Sequence, residues 1–279
     1  MTSGVNRSAG ETGTIMSNPC CSFDTLKVLK KIGHITPSSN TALEPITALM
    51  NASLADRVSH HFTRITVKQI TLDSSTGGQF ELAPMMAAAE LLADAALDAI
   101  VWNGTSGSWL GVEHDEELCR CITDRTGIAA STSTLAFHEA FRRFGFTRVG
   151  LAVPYTADIR ARISNVYAEH GFETASAACL GQTINIEFGN TRFDVIRQLL
   201  RDADSPQAEC IAVVCTNLAA TWLVEEMERE LGKPIIDSIA VTFWKGCMLA
   251  GIEPKIEGWG ALMRGTLTAR QDQRANVGA

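Results

Sequence analysis

The chain repeats itself. Residues 32–40, IGHITPSSN, resemble residues 149–157, VGLAVPYTA, and residues 100–106, IVWNGTS, resemble residues 211–217, IAVVCTN. In each pair an apolar run ends in a polar turn, with Pro37 matching Pro154 and Thr105 matching Thr216. A helical pattern follows, then Gly127 or Gly232, a short apolar run and a further helix that ends at Gly145 or Gly251. Matches in the same order across two halves are the mark of a duplicated unit.

Between the matches, β-type apolar runs alternate with helical periodicity. The runs fall at 31–36, 65–70, 99–102, 148–153 and 211–214. The helical stretches fall at 84–97, 113–125, 135–144, 159–170, 193–202 and 221–231. Pro84 suits the first turn of its helix, where a missing N–H costs nothing. Such alternation predicts parallel sheets covered by helices. The expected fold is therefore α/β, with two pseudo-symmetric lobes, each a parallel sheet flanked by helices, and the active site in the inter-lobe cleft. Lobe 1 is assigned to residues 28–132 plus 240–269 and lobe 2 to residues 133–239. Residues 1–27 and 270–279 read as flexible tails, the first rich in Ser, Thr, Gly and Asn.

Charge and cysteine usage narrow the function. With 279 residues the chain can bury a sizeable core, and its net charge of −7 comes without a basic run. Nucleic acid is thus not an expected partner, and a small anion has to be held by local donors. The eight cysteines include the close pairs Cys20/Cys21 and Cys119/Cys121 and form neither a disulfide framework nor a zinc pattern. The six histidines lack H-E-x-x-H spacing, so no metal is expected. No apolar run nears the ~18 residues of a membrane span, which leaves the cytoplasm as the expected location. Self-association into a homo-oligomer is compatible with this composition.

Parallel sheets bind ligands beyond the carboxyl ends of their strands. Four such ends carry polar turns: Pro37/Ser38/Ser39/Asn40, Gly104/Thr105/Ser106, Tyr155/Thr156 and Cys215/Thr216/Asn217. Each precedes a helix start, where free N–H groups favour an anion, and the hydroxyls and amides add donors. Together they can hold a carboxylate without Lys or Arg. Cys215 is either a buried structural thiol or a group that gives or takes a proton at carbon. A helix start next to it is expected to lower its pKa. Gly104, its partner in the repeat, has no side chain, which either eases a tight turn or removes a second acid/base group. Thr105 and Ser106 are N-caps or substrate donors, roles that compete for the same atoms. Tyr155 is a packing residue or a donor, and Asn40 an Asx turn or a ligand contact. Trp109, with Gly107 and Gly111, suggests a flap or an apolar wall.

These stretches resemble the aspartate/glutamate racemase superfamily, in the branch that holds maleate isomerase and arylmalonate decarboxylase. The run Pro37-Ser38-Ser39-Asn40-Thr41 is similar to the carboxylate-binding turn of maleate isomerases. Gly104-Thr105-Ser106 resembles the decarboxylase branch, where glycine replaces the first catalytic cysteine. Val153-Pro154-Tyr155 and Val214-Cys215-Thr216 are similar to the oxyanion tyrosine and the second cysteine. Asn185, after Leu180-Gly181, sits where maleate isomerases carry a substrate-contacting asparagine. The resemblance covers residues 30–264.

The resemblance implies a cofactor-free, metal-free reaction at the carbon α to a carboxylate of a small dicarboxylate. Cys215, Tyr155, Thr105 and Ser106 become the expected catalytic residues. Pro37, Ser38, Ser39, Asn40, Gly104, Asn185, Thr216 and Asn217 become the expected substrate-binding residues. Gly104 favours a decarboxylase with one proton donor. The turn at Asn40 favours a maleate cis–trans isomerase, and an Asp/Glu-type racemase is a further alternative. A dicarboxylate-binding sensor is the non-enzymatic one. If Gly104 faces Cys215 across the substrate, a thiol introduced at 104 is expected to restore an opposite-face base.

Overall fold

The computed structural model describes residues 29–73 and 78–268. Both expected tails, residues 1–27 and 270–279, lie outside the described residues, as do Cys20 and Cys21. The first half runs β1 (Lys30–Pro37), α1 (Leu43–Met50), β2 (Val58–Ile65), α2 (Leu82–Ala93), β3 (Ala99–Trp102), α3 (Gly107–Leu110), α4 (Val112–Thr126), β4 (Ala129–Thr132) and α5 (Ser133–Phe144). The second half runs β5 (Arg148–Val153), α6 (Ala157–Glu169), β6 (Glu173–Cys179), α7 (Asn185–Gly189), α8 (Phe193–Asp202), β7 (Cys210–Val213), a 3-10 turn (Ala219–Leu223), α9 (Val224–Leu231), β8 (Ile235–Asp237) and α10 (Ser238–Leu249). A last short helix, α11, spans Gly260–Arg264.

The strands form two four-stranded sheets, ordered β2-β1-β3-β4 and β6-β5-β7-β8, and every neighbouring pair is parallel. The orders are the same, so the duplication read from the sequence extends to the topology. Gly127 and Gly232 end α4 and α9 in the same left-handed conformation, at φ 72° and 67°, which glycine adopts at no steric cost.

This order places the site. From β1 the chain crosses through α1 to β2 on one side, and from β3 it crosses through α3 and α4 to β4 on the other. The gap between β1 and β3 is therefore a topological switch point, where strand-end turns splay and leave a crevice. The same holds between β5 and β7. The four polar turns singled out in the sequence are the turns that end these four strands. Register fixes their equivalence: Ile35 on β1 pairs with Trp102 on β3, as Ala152 on β5 pairs with Val213 on β7. Even side-chain bonds repeat, since Ser133 Oγ donates to the Trp102 carbonyl at 3.4 Å and Ser238 Oγ to the Val213 carbonyl at 2.6 Å.

Two strands differ from expectation, β2 and β6, the latter matching none of the expected runs. The apolar run at 65–70 is not a strand: β2 is Val58–Ile65, and beyond it only Gln69 makes an isolated bridge, to Ile184. Val67 and Ile70 are buried nonetheless, because this segment runs under the second lobe, where the Ile70 N–H donates to the Thr183 carbonyl at 2.8 Å. The actual strand, VSHHFTRI, is a half-exposed sheet edge, so its polar residues hide the alternation. Helix α10 is apolar on nearly every side and packs on α5, α1, β3 and β4. Among the described residues no helix is long and apolar enough to cross a membrane.

Candidate active site

Three polar side chains from both lobes meet where the strand ends converge. The Thr105 and Tyr155 hydroxyls are 3.0 Å apart. Tyr155 also lies near enough to the Cys215 thiol that each shifts the other's ionisation. All three are enclosed, with Thr105 and Tyr155 3% exposed and Cys215 2% exposed. Phe188 and Trp109 pack edge-on against the phenol ring, at 5.4 and 5.2 Å between centroids, and Phe80 packs on Trp109. Trp109 thus forms an apolar wall beside Tyr155.

The turn after β7 is locked from behind. The Cys215 backbone N–H donates to Ser238 Oγ at 2.8 Å, and that hydroxyl donates on to Val213. The backbone N–H groups of Asn217 and Leu218 lie near the sulfur, and that of Leu218 donates to the Cys215 carbonyl at 3.3 Å. These donors and the Tyr155 hydroxyl favour the thiolate, as a helix start was expected to do. Burial outweighs them, and the thiol is pushed up to about 11. The helix-start effect is weak because the 3-10 turn begins only at Ala219 and α9 at Val224. Tyr155 is raised well above its ordinary value, by burial first and by the neighbouring thiolate second. At neutral pH the site therefore presents two protonated donors.

At the position equivalent to Cys215, the turn after β3 has Gly104 and so no titratable side chain. Ser106 stands at the N-cap of α3, but neither it nor Thr105 is seen to cap the helix with its side chain. Thr105 is engaged with Tyr155, and Ser106 makes no capping bond to α3 but accepts the Trp102 indole N–H at 3.3 Å.

The remaining expected residues stitch the lobes together. The Pro37 carbonyl accepts the Asn40 N–H at 3.0 Å and closes the turn after β1. Asn40 Oδ1 accepts the Ala42 and Leu43 N–H groups at 3.0 and 2.9 Å, while its Nδ2 donates across the cleft to the Thr216 carbonyl at 3.0 Å. Thr216 Oγ1 donates to the Asn103 carbonyl at 2.9 Å. Asn217 Oδ1 accepts the Thr41 and Ala42 N–H groups at 2.9 and 3.2 Å, and its Nδ2 donates to the Asn185 carbonyl at 2.6 Å. Asn185 Nδ2 donates to Ser39 Oγ at 2.8 Å, and Ser38 and Ser39 both donate to the Val67 carbonyl.

Sequence reasoning missed six side chains around the site. Arg64 on β2 donates to the Ser38 and Asn40 carbonyls at 2.9 and 3.0 Å and pairs with Glu44 at 2.8 Å, so a guanidinium braces the turn from outside. Asn103 Nδ2 donates to His34 Nδ1 at 3.0 Å, which leaves His34 Nε2 as donor to His60 Nδ1 at 2.8 Å. Burial holds both imidazoles neutral, lowering His34 to about 4 and His60 to about 2. Ser238 and Trp102 complete the set. Trp102 alone had a readable signal: residues two apart in a strand direction share a face, so a Trp at 102 lies beside Gly104.

A sequence profile of the arylmalonate decarboxylase family matches residues 50–263. The chain belongs to the arylmalonate decarboxylase family. This family member is 26% identical over 252 residues to a maleate isomerase of Pseudomonas putida, covering 85% of this chain and 98% of that protein. It is 29% identical over 165 residues to an arylmalonate decarboxylase of Bordetella bronchiseptica, covering 57% of this chain and 68% of that one. Among solved structures, Nocardia farcinica maleate cis–trans isomerase bound to Tris superposes with a TM-score of 0.75 at 20% identity, covering 85% of this chain and 99% of that one. A liganded arylmalonate decarboxylase with a glycine-to-cysteine and a cysteine-to-serine replacement gives 0.73 at 21% identity, covering 85% and 99%. A maleate isomerase variant from Pseudomonas putida, solved with maleate, gives 0.75 at 18% identity, covering 85% and 98%. These structural likenesses establish the fold. Both activities, decarboxylase and isomerase, occur among the relatives of this arylmalonate decarboxylase family member.

Proposed function

We propose that this chain is a cofactor-independent decarboxylase of a small disubstituted malonate, with Cys215 as its only proton donor to carbon. The observation that carries the reading is the inequality of two equivalent turns: residue 215 is a thiol and residue 104 is a glycine. One carboxylate of the substrate is framed by Pro37, Ser38, Ser39, Asn40, Gly104, Asn185, Thr216 and Asn217. The bond from the α-carbon to the other carboxylate breaks, CO₂ departs, and the electron pair stays behind as an enediolate. Thr105, Ser106 and Tyr155 donate to its oxygens, a contribution of about 3 kcal/mol to the barrier for each such donor. The Cys215 thiol then protonates one face of the carbon. Its thiolate is favoured by the nearby Asn217 and Leu218 N–H groups and regains a proton from water. One malonate and one proton thus give one monoacid and CO₂.

A protonated thiol suits this role, since an acid must hold its proton until carbon needs it. A second reading is cis–trans isomerisation of maleate by Cys215 with another acid/base group. It is favoured by the maleate isomerase relative that aligns over 85% of this chain. The test is a panel of substituted malonates, maleate, aspartate and glutamate in D₂O, followed by NMR. CO₂ release with one deuteron at the α-carbon supports decarboxylation. Fumarate from maleate, or α-proton exchange without CO₂, overturns it. Tight dicarboxylate binding without any product would assign a sensor instead.

A further inference from the structure

The space that a side chain at residue 104 would need is already taken. A Cβ built on Gly104 would lie 2.1 Å from Cε2, 2.2 Å from Cζ2 and 2.5 Å from Nε1 of Trp102. Real side chains never approach so closely, so the indole stands where that side chain would begin. Trp102 is only 1% exposed and is packed in place, and its backbone carbonyl is held by Ser133.

The duplication supplies an internal control. Trp102 and Val213 occupy equivalent positions, opposite Ile35 and Ala152 in the same register. The second lobe therefore pairs a small strand residue with a thiol, Val213 with Cys215. The first pairs the largest side chain with none, Trp102 with Gly104. Volume has been exchanged within one face of the strand and its turn. The indole also keeps a polar task. Its Nε1–H donates to Ser106 Oγ, which makes no other bond to the start of α3. With its lone pair engaged, that hydroxyl has its own proton to donate elsewhere.

We propose that Trp102 makes the site one-sided: its indole occupies the volume of the missing opposite-face acid/base group, and its N–H aims the Ser106 hydroxyl at the reacting oxygens. This makes Trp102 a positioning and specificity-determining residue, and it rests on the decarboxylase reading above. It also corrects the expectation that a thiol at 104 would by itself restore a second base. Such a thiol has no room until the indole is cut back.

The test compares the full-length Gly104→Cys, Trp102→Val, Trp102→Phe and Trp102→Val/Gly104→Cys variants with the wild type. Melting temperature is measured first, because it does not depend on any activity. Gly104→Cys should melt well below the wild type, and adding Trp102→Val should recover much of the loss. If Gly104→Cys melts with the wild type, the indole does not hold that volume and the proposal fails.

The probes for chemistry are 2-methyl-2-phenylmalonate and single enantiomers of 2-phenylpropionate in D₂O. In the double variant the introduced thiolate removes the α-proton and Cys215 returns a deuteron to the other face. Exchange and racemisation should exceed those of the wild type and of Gly104→Cys by about a hundredfold or more. Equal exchange in Gly104→Cys alone would overturn the proposal.

Trp102→Phe keeps bulk and loses the N–H. Its kcat should fall about tenfold with KM unchanged, while its product stays a single enantiomer. An unchanged kcat would overturn the assignment to Ser106. A wild type that releases no CO₂ from any malonate would sink the decarboxylase reading, and the melting comparison would still decide whether Trp102 fills the site.

Discussion

The Tyr155 hydroxyl of the second lobe lies 3.0 Å from the Thr105 hydroxyl of the first, and the same phenol favours the Cys215 thiolate. Its ring is wedged between Trp109 and Phe188. Tyr155→Phe keeps that wedge and removes the donor alone. Its kcat should fall about 10²–10³-fold with the melting temperature nearly unchanged. A kcat equal to wild type would reduce Tyr155 to packing.

Replacing Cys215 by Ala removes one sulfur and leaves the strand and its bond to Ser238 intact. Turnover should drop about 10²–10⁴-fold while the fold persists, as read by CO₂ release and circular dichroism. A variant that keeps wild-type turnover ends the assignment.

The pH profile separates a thiol that gives a proton from one that takes it. Cys215 titrates at about 11, so a donor is in its working form throughout the neutral range. The value of kcat/KM should be level there and decline only as pH approaches 11. A base at the same position would produce the opposite trend, rising with pH toward that value.

Buried groups pull stability against pH in opposite senses. Burial lowers His34 to about 4, His60 to about 2 and His138 to about 3, and raises Asp115 to about 7 and Asp237 to about 6. Below about pH 6.5 the unfolded chain takes up protons that these histidines refuse, so their contribution falls with acid. The two carboxyls act in reverse. They keep protons in the fold that the unfolded chain releases above about pH 4, so stability is lost as pH rises through 6 and 7. Asp115→Asn removes one proton from that second side. Between about pH 4 and 6.5 its unfolding free energy should fall more steeply with acid, by about 1.4 kcal/mol per pH unit. Urea unfolding across that range measures it, and an unchanged slope would mean that Asp115 is ionised in the fold.

Asn217 accepts two N–H groups of the opposite lobe and donates to the Asn185 carbonyl. Asn217→Ala removes the acceptor of the Thr41 N–H and the amide donor to Asn185, while the Ala42 N–H keeps Asn40 Oδ1, at a cost of about 1–3 kcal/mol. The urea midpoint should drop and KM for the substrate rise together. A lower midpoint with unaltered KM would restrict Asn217 to holding the lobes.

Much of this arrangement is legible in the residues. The repeat places four polar turns at strand ends, and the strand order puts those ends at the two switch points. Other features are invisible at that level for physical reasons. The edge strand Val58–Ile65 is polar because half of it meets solvent, and β6, ETASAAC, has Thr174 as its single β-branched residue and no aromatic to announce a strand. The acidity of Cys215 depends on a balance between burial and nearby donors that no local run of letters states. The amide of Asn40 finds Thr216 across 176 residues, a partnership that exists only once the lobes close.

Twofold architecture gives a bound diacid two equivalent ways to lie, related by a half turn. A sulfur on one side and an aromatic plate on the other lift that degeneracy. On the decarboxylase reading proposed above, handedness then belongs to the protein before any ligand arrives, and a substrate with two identical acid groups is told which of them to lose.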